Sequence, residues 1–115
     1  MVRDLSFPKK RRFTGSARFE QIFSQGRFAK NSNLATYVLE NGLGFSRLGV
    51  VVSKKHGKAV ARNYLKRLIR EAFRLRSGEI PSGVDVLVIP RISCEKSVTA
   101  IAQSLVLLVS SLVRE

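Results

Sequence analysis

The segment 57–76 places the strongest constraint on the fold of this chain, because its apolar residues recur at the spacing of one helix face. The pair Ser77-Gly78 follows and ends the helix. The apolar residues on that face are Leu65, Leu68, Ile69, Ala72 and Phe73. A helix of this kind must bury its apolar face against another layer of structure. The segment therefore predicts a helix packed on a sheet.

The opposite side of the same helix is cationic. At about 100° per residue, its polar residues fall within an arc of roughly 100°. These residues are Asn63, Lys66, Arg67, Arg70 and Arg74, with Arg62 flanking the arc. A solvated surface helix usually alternates the signs of its charges, whereas here only Glu71 interrupts the cations. We interpret this side as a phosphate-binding surface, with an ordinary solvated helix as the alternative.

The remaining segments predict an α+β chain with the element order α-β-β-β-α-β-α. A first helix carries Phe19, Ile22 and Phe23 at helical spacing. It is capped by Thr14 or Ser16 and ended by a left-handed cap at Gly26. Strands are expected at residues 27–29, 34–40, 46–53 and 84–89, and a last helix at 95–113. The turn at Asn41-Gly42 is expected to join the second and third strands in an antiparallel sheet.

The balance of charge points to a polyanionic partner. The chain of 115 residues has 21 Lys and Arg against 8 Asp and Glu, a formal charge of +13. Nucleic acid is the favoured partner, because neutralising phosphates releases condensed counterions. A membrane surface is the rival, but it would need the apolar helix face that the sheet already uses.

Length and composition predict one compact domain over residues 1–115, with residues 1–12 as a mobile basic arm. The apolar stretch 101–113 is too short to span a bilayer and is read as a packed terminal helix. No secretory signal is recognisable near Met1, and the single cysteine, Cys94, suits a reducing cytosol. A cytoplasmic location is expected.

The sequence offers no convincing catalytic or metal-binding set. His56 is the only histidine, and the eight carboxylates lack any spacing that would hold a metal. We therefore expect no catalytic residue and no cofactor held by protein side chains. His56 is expected to contact phosphate or solvent, within a basic loop that also contains Lys54, Lys55 and Lys58.

A second candidate surface is aromatic and consists of Phe19, Phe23 and Tyr37. Aromatic rings beside cations can stack unpaired bases at about 1 to 3 kcal/mol each, with little dependence on sequence. Packing in the core explains these rings equally well, so both interpretations stay open at this point.

The segment 54–74 closely resembles the protein subunit of bacterial ribonuclease P. The likeness extends to Arg18-Phe19-Glu20-Gln21-Ile22-Phe23, to residues 48–53 and to residues 85–89, so it covers nearly the whole chain in order. One position departs from the family pattern: its Arg-Asn-Arg core reads Arg62-Asn63-Tyr64 in this chain. The departure removes one guanidinium from the motif.

The resemblance implies an accessory subunit of an endoribonuclease whose RNA removes the 5′ leader from precursor tRNA and requires Mg²⁺. It implies that the Arg62 helix and the Lys54-Lys55 loop contact the catalytic RNA, while Phe19, Phe23 and Tyr37 bind the single-stranded leader. It further implies a two-layer fold with a mixed four-stranded sheet and a left-handed β-α-β crossover, with no protein or membrane partner required. A ribosomal or general RNA-binding protein and an autonomous nuclease are the alternatives.

Overall fold

The computed structural model describes residues 11–113 and has the expected order of elements. Three helices and four strands make up the fold. They are α1 (Ser16–Gln25), β1 (Arg27–Lys30), β2 (Leu34–Glu40), β3 (Arg47–Val50), α2 (Ala59–Leu75), β4 (Val84–Pro90) and α3 (Val98–Val113). The strands form one sheet in the order β1-β2-β4-β3. This confirms the α+β class.

The sheet is mixed, as expected. The pairs β1–β2 and β2–β4 are antiparallel, whereas β3 and β4 are parallel. Because parallel neighbours need a crossover, the chain passes from β3 through α2 before it returns as β4. The left hand of that crossover stays an implication of the resemblance.

The predicted hairpin between the second and third strands is wrong. The strand β4 lies between β2 and β3 in the sheet, so the turn after β2 does not join neighbouring strands. Residues Val84 to Val88 are all buried, and a strand covered on both faces belongs in the interior of a sheet. The Asn41 side chain instead makes a local turn, in which its oxygen accepts from the Leu43 N–H at 2.7 Å.

One face of the sheet forms the main core with α2 and α3. The inward side chains of the strands are Leu34, Val38, Leu48, Val84, Val86 and Val88. The helices cover them with Leu65, Ile69, Phe73, Ile101, Leu105 and Val109. This packing buries the apolar side of α2 and leaves its cationic side outward, as the amphipathic pattern predicts.

The opposite face of the sheet carries a smaller core under α1. Ile22 of α1 packs with Leu87 of β4 and with Phe13, which precedes α1. The ring of Phe13 lies against Gly49, where a Cβ atom would come within 2.7 Å of the Phe13 Cζ atom. The residue at position 49 must therefore be glycine for this ring to approach the sheet.

The helix ends differ from the sequence prediction. Neither Thr14 nor Ser16 caps α1, because Gly15 holds the N-cap position without any side-chain bond. Gly26 is extended, with φ −76°, rather than left-handed. A Cβ atom at Gly26 would lie 2.6 Å from the Ile22 carbonyl oxygen, so close approach is the reason for glycine there.

The predicted basic arm, residues 1–12, lies outside the described residues except for its last two members. Arg12 forms a parallel bridge with Leu48 at the outer edge of β3, and the next residue, Phe13, donates its N–H to the Leu48 carbonyl at 3.2 Å. In the part of the chain from 11 to 113, no helix is both long and apolar enough to cross a bilayer.

Candidate nucleic-acid interface

The cationic flank of α2 consists of residues that share one side of the helix. They are Arg62, Asn63, Lys66, Arg67, Arg70 and Arg74. Asn63 and Arg67 are exposed, and the other four are half-buried at the border of the packed side. The structure thus brings the predicted residues together on an accessible surface. Leu65, Ile69 and Phe73 hold the helix in this orientation from the buried side.

Most of these side chains have free donors. Across residues 11–113, the buried Nε atom of Arg62 has no hydrogen-bond partner. A buried guanidinium donor without a partner is costly, and a phosphate oxygen is a ligand that would satisfy it. The flank therefore presents a hydrogen-bond donor that an acceptor from outside the chain can satisfy.

Arg70 lies close enough to Arg12 for their two positive charges to interact. Its pKa is lowered, first because burial disfavours its charge and second because of the nearby charge of Arg12. Two guanidinium groups that repel each other in this way favour a bound polyanion. Arg12 thereby extends the cationic surface from α2 towards the edge of β3, which the sequence did not indicate.

Arg74 differs from the rest of the flank. Its Nη2 atom lies 2.6 Å from the Glu71 carboxylate, and this hydrogen bond is the main cause that raises the Arg74 pKa. Arg76, just beyond the helix, is similarly paired with Glu79. The cations of α2 without a partner in the described chain therefore lie between Arg62 and Arg70.

The loop before α2 presents three exposed cations, Lys54, Lys55 and Lys58. Lys54–His56 forms a single 3-10 turn, and Lys58 occupies the N-cap position of α2. All three lie beside the first turn of the cationic flank, so the loop and the helix present one continuous basic surface.

His56 is occupied by bonds within the chain. Its Nδ1 atom accepts from the Ser53 N–H at 3.0 Å, and its Nε2 atom lies 2.6 Å from the Pro90 carbonyl oxygen. A carbonyl only accepts, so Nε2 carries the proton and the ring is the neutral Nε2–H form. Both ring nitrogens thus bind backbone, which departs from the expected contact with phosphate or solvent. His56 ties the basic loop to the end of β4.

The aromatic surface lies on the other face of the sheet. Phe23 of α1 meets Tyr37 of β2 edge to face, with ring centroids 5.0 Å apart. Phe28 of β1 joins them, with its ring centroid 4.7 Å from that of Tyr37. Phe23 and Phe28 are 43% and 46% exposed, far more than core rings. These three rings can therefore accept stacked bases.

Phe28 was not among the aromatic residues predicted for this surface, whereas Phe19 was. Phe19 packs edge to face on the buried Phe13, with centroids 5.6 Å apart, so it mainly supports the small core. Phe28 could have been found from the hairpin that joins β1 and β2. Its register places Phe28 directly opposite Tyr37, and such cross-strand pairs bring side chains into contact.

A buried carboxylate anchors α1 beneath this aromatic surface. Asp85 of β4 is fully buried and accepts from Arg18 Nε at 2.8 Å and from Arg47 Nη2 at 2.6 Å. The Asn41 amide adds a bond of 2.9 Å. Burial raises the pKa of Asp85, but the hydrogen bonds from Arg47, Asn41 and Arg18 outweigh it and hold the pKa below its ordinary value.

Tyr64 lies at the border of the cationic flank. It is 44% exposed and stands one residue after Asn63, at the position where the resemblance implies arginine. Val60, one turn earlier on the same side, is also exposed. This part of the helix therefore offers an apolar contact where a guanidinium is expected.

These features together define a class of protein. The chain has an α+β fold with a cationic helix on one sheet face and an aromatic surface on the other, a combination typical of nucleic-acid-binding proteins. Among residues 11–113, no group of three His, Cys, Asp or Glu side chains is placed to hold a metal ion.

Comparisons with known proteins agree with this class. Residues 7–112 match the family model of ribonuclease P. The ribonuclease P protein component of Thermotoga maritima is 45% identical over 86 residues, which span 75% of this chain and 74% of that protein. The solved T. maritima RNase P protein has a TM-score of 0.78 at 36% identity, covering 87% of this chain and 96% of that one. The RNase P protein of Staphylococcus aureus has a TM-score of 0.76 at 34% identity, covering 88% and 94%.

The chain therefore belongs to the family of ribonuclease P protein components. The resemblance stated from the sequence is confirmed, together with the expected role as a subunit of this enzyme and an RNA partner.

Proposed function

We propose that the cationic flank and the basic loop dock on the catalytic RNA of ribonuclease P, while the aromatic surface binds the single-stranded 5′ leader of precursor tRNA. In this division the RNA carries out hydrolysis with its own Mg²⁺, and the protein supplies position and charge. The proposal places this work in the cytoplasm, as a single domain that requires no protein or membrane partner.

One observation carries the proposal. The free cations of α2 stand directly opposite residues that are locked in the core, so they cannot turn inward to find partners. The unpartnered Nε atom of Arg62 lies within that set. A folded RNA offers an array of phosphates, which a row of cations held on one side of a helix can contact.

The leader assignment is supported by the kind of surface involved. Phe23, Phe28 and Tyr37 form a small cluster of rings with two exposed members, and Lys30, two residues after Phe28 on β1, is also exposed. Bases of an unpaired strand have free faces for stacking, whereas those of a duplex do not. A single-stranded leader is therefore a better ligand for this surface than a folded helix.

The test is a precursor-tRNA cleavage assay at low Mg²⁺ with the RNA subunit alone, the protein alone and both together. We expect efficient cleavage only with both. Cleavage by the protein alone would contradict the assignment of hydrolysis to the RNA. No stimulation of the RNA subunit by the protein would favour a general RNA-binding role instead.

A further inference from the structure

A second group of cations surrounds a shallow cavity at the end of β4, apart from the cationic flank. The cavity has a volume of about 100 Å³ and is lined by Lys55, His56, Arg91 and Lys96 together with Leu65, Ile92 and Cys94. Arg91 and Lys96 were not among the residues singled out from the sequence. Leu65 and Cys94 belong to the main core, so the cavity opens on the α2 side of the sheet and away from the aromatic surface.

The three cations around this cavity have no internal partner. In the described chain, the side chains of Lys55, Arg91 and Lys96 make no hydrogen bond or ion pair, and all three residues are exposed. Glu95 lies close enough to affect the Cys94 thiol, as does Lys96. One carboxylate against three cations leaves the rim positive, and such a rim attracts an anion.

Both loops that carry these cations are held in place. The Cys94 N–H donates to the Arg91 carbonyl at 2.9 Å, and the Glu95 N–H donates to the Asn33 side-chain oxygen at 2.9 Å. On the other side, the bond from His56 to the Pro90 carbonyl ties the Lys55 loop to β4. The rim is thus fixed before any ligand arrives, which lowers the entropic cost of binding.

The floor of the cavity is apolar. Ile92 is 64% exposed, although its neighbour Cys94 is buried. A cationic rim around an apolar floor matches the two parts of a nucleotide, namely a charged phosphate and a ribose or base with apolar faces. A simple inorganic anion would use only the rim.

We propose that this cavity binds one nucleotide of the catalytic RNA, with its phosphate between Lys55, Arg91 and Lys96 and its ribose or base on Ile92. The inference rests on the proposed docking of α2, because Lys55 belongs to both surfaces. It extends the RNA-binding surface from α2 across the loop that joins β4 to α3.

The test measures the affinity of the full chain for the RNA subunit over a range of salt concentrations. Replacing Arg91 by Gln should make the plot of log affinity against log salt shallower by about 0.7 to 0.9, the loss of one phosphate contact. The double variant Arg91→Gln/Lys96→Gln should lose about twice that amount. The matched control is Arg76→Gln, which removes one charge from an arginine already paired with Glu79 and should leave the slope unchanged.

A substitution at Ile92 tests the apolar contact of the cavity separately from its phosphate contact. Ile92→Ser should weaken binding about fivefold without changing the salt slope, because an apolar contact releases no counterions. The melting temperatures of all four variants should stay at the wild-type value, since the replaced side chains are exposed or half-exposed.

Three outcomes would overturn the inference. In the first, the salt slopes of Arg91→Gln and Arg76→Gln are equal while that of Arg62→Gln is shallower than the wild type. The cavity is then not a subsite, although the docking of α2 stands. If Arg62→Gln also has no effect, the proposed function fails and the inference fails with it. If Arg91→Gln weakens only the binding of precursor tRNA to the assembled enzyme, the cavity binds substrate rather than the catalytic RNA.

Discussion

The two proposed binding surfaces of this protein treat their charged side chains in opposite ways. On the cationic flank, charges such as Lys66 and Arg67 extend from a helix and have no partners within the described residues. Beneath the aromatic surface, Arg18 and Arg47 form ion pairs with Asp85, and uncharged rings face outward. The first surface therefore depends on long-range electrostatics, whereas the second depends on the position of α1 relative to the sheet.

The difference between the two surfaces shows which kind of contact depends on exact positions of side chains. A phosphate contact by a flexible Lys or Arg tolerates small shifts, and its contribution falls as salt rises. A stacked base needs rings at fixed places, and it is nearly indifferent to salt. The buried carboxylate of Asp85 is thus a positioning residue for the aromatic surface only, because the cationic flank lies across the sheet.

The largest expected effect comes from removing that anchor. Asp85→Ala leaves Arg18 and Arg47 close together without a counterion, and it should lower the free energy of unfolding by about 2 to 3 kcal/mol. This loss in the free energy of unfolding is small for a buried ion pair because both arginines are partly exposed to solvent. Urea unfolding checks it, with Glu79→Ala as the control that removes an exposed ion pair and should change nothing measurable.

The same variant tests whether the aromatic surface and the cationic flank act independently. In Asp85→Ala protein that is still folded, binding of the leader should weaken because α1 loses its anchor, while the salt slope for the RNA subunit should stay at the wild-type value. A flattened slope would mean that the two surfaces are not independent.

The pH dependence of the free energy of unfolding should test the role of the same carboxylate, Asp85. Because the folded pKa of Asp85 lies below its unfolded value, its contribution to stability is complete above the unfolded pKa, about 4. It is lost as the pH falls through the folded pKa. We expect the free energy of unfolding of the wild type to fall more steeply below about pH 4 than that of Asp85→Ala. Parallel curves would contradict the role of Asp85 as an ionised acceptor.

An intermediate effect is expected for Phe23→Ala. Loss of one stacking ring should weaken binding of leader-bearing precursor by about 1 to 3 kcal/mol and leave binding of mature tRNA unchanged. The control is Leu107→Ala on α3, which also removes an exposed apolar side chain. Equal losses for precursor and mature tRNA would assign Phe23 to the framework and not to the leader.

The smallest expected effect sharpens the comparison by adding a charge. Tyr64→Arg supplies the arginine that the resemblance implies beside Asn63 and should steepen the salt slope for the RNA subunit by about 0.7 to 0.9. The control is Leu75→Arg, which adds the same charge at an exposed position of α2 outside the flank. If both variants steepen the slope equally, net charge rather than position controls binding.

The sequence predicted the cationic flank well because helical periodicity alone decides which side of α2 is buried. It predicted the place of β4 less well, since the Asn41-Gly42 signal describes a local turn and says nothing about which strand lies beside β2. The role of His56 was missed for the same reason. Its partner, the Pro90 carbonyl, is far away in sequence and is brought near only by the fold.

The sequence predicted the residues of the aromatic surface only in part. The spacing of Phe19 and Phe23 showed that both lie on α1, but not that Phe13 covers the first ring and leaves the second exposed. Asp85 looked like one more carboxylate in an apolar strand. Its meaning depends on Arg18 and Arg47, which come from two other elements.

The most direct test is the salt dependence of RNA-subunit binding by the double variant Arg62→Gln/Lys66→Gln. If α2 docks on the catalytic RNA through phosphates, the slope should become shallower by about 1.4 to 1.8, with the fold unchanged by circular dichroism. Lines parallel to the wild type over the whole salt range would contradict docking through this flank.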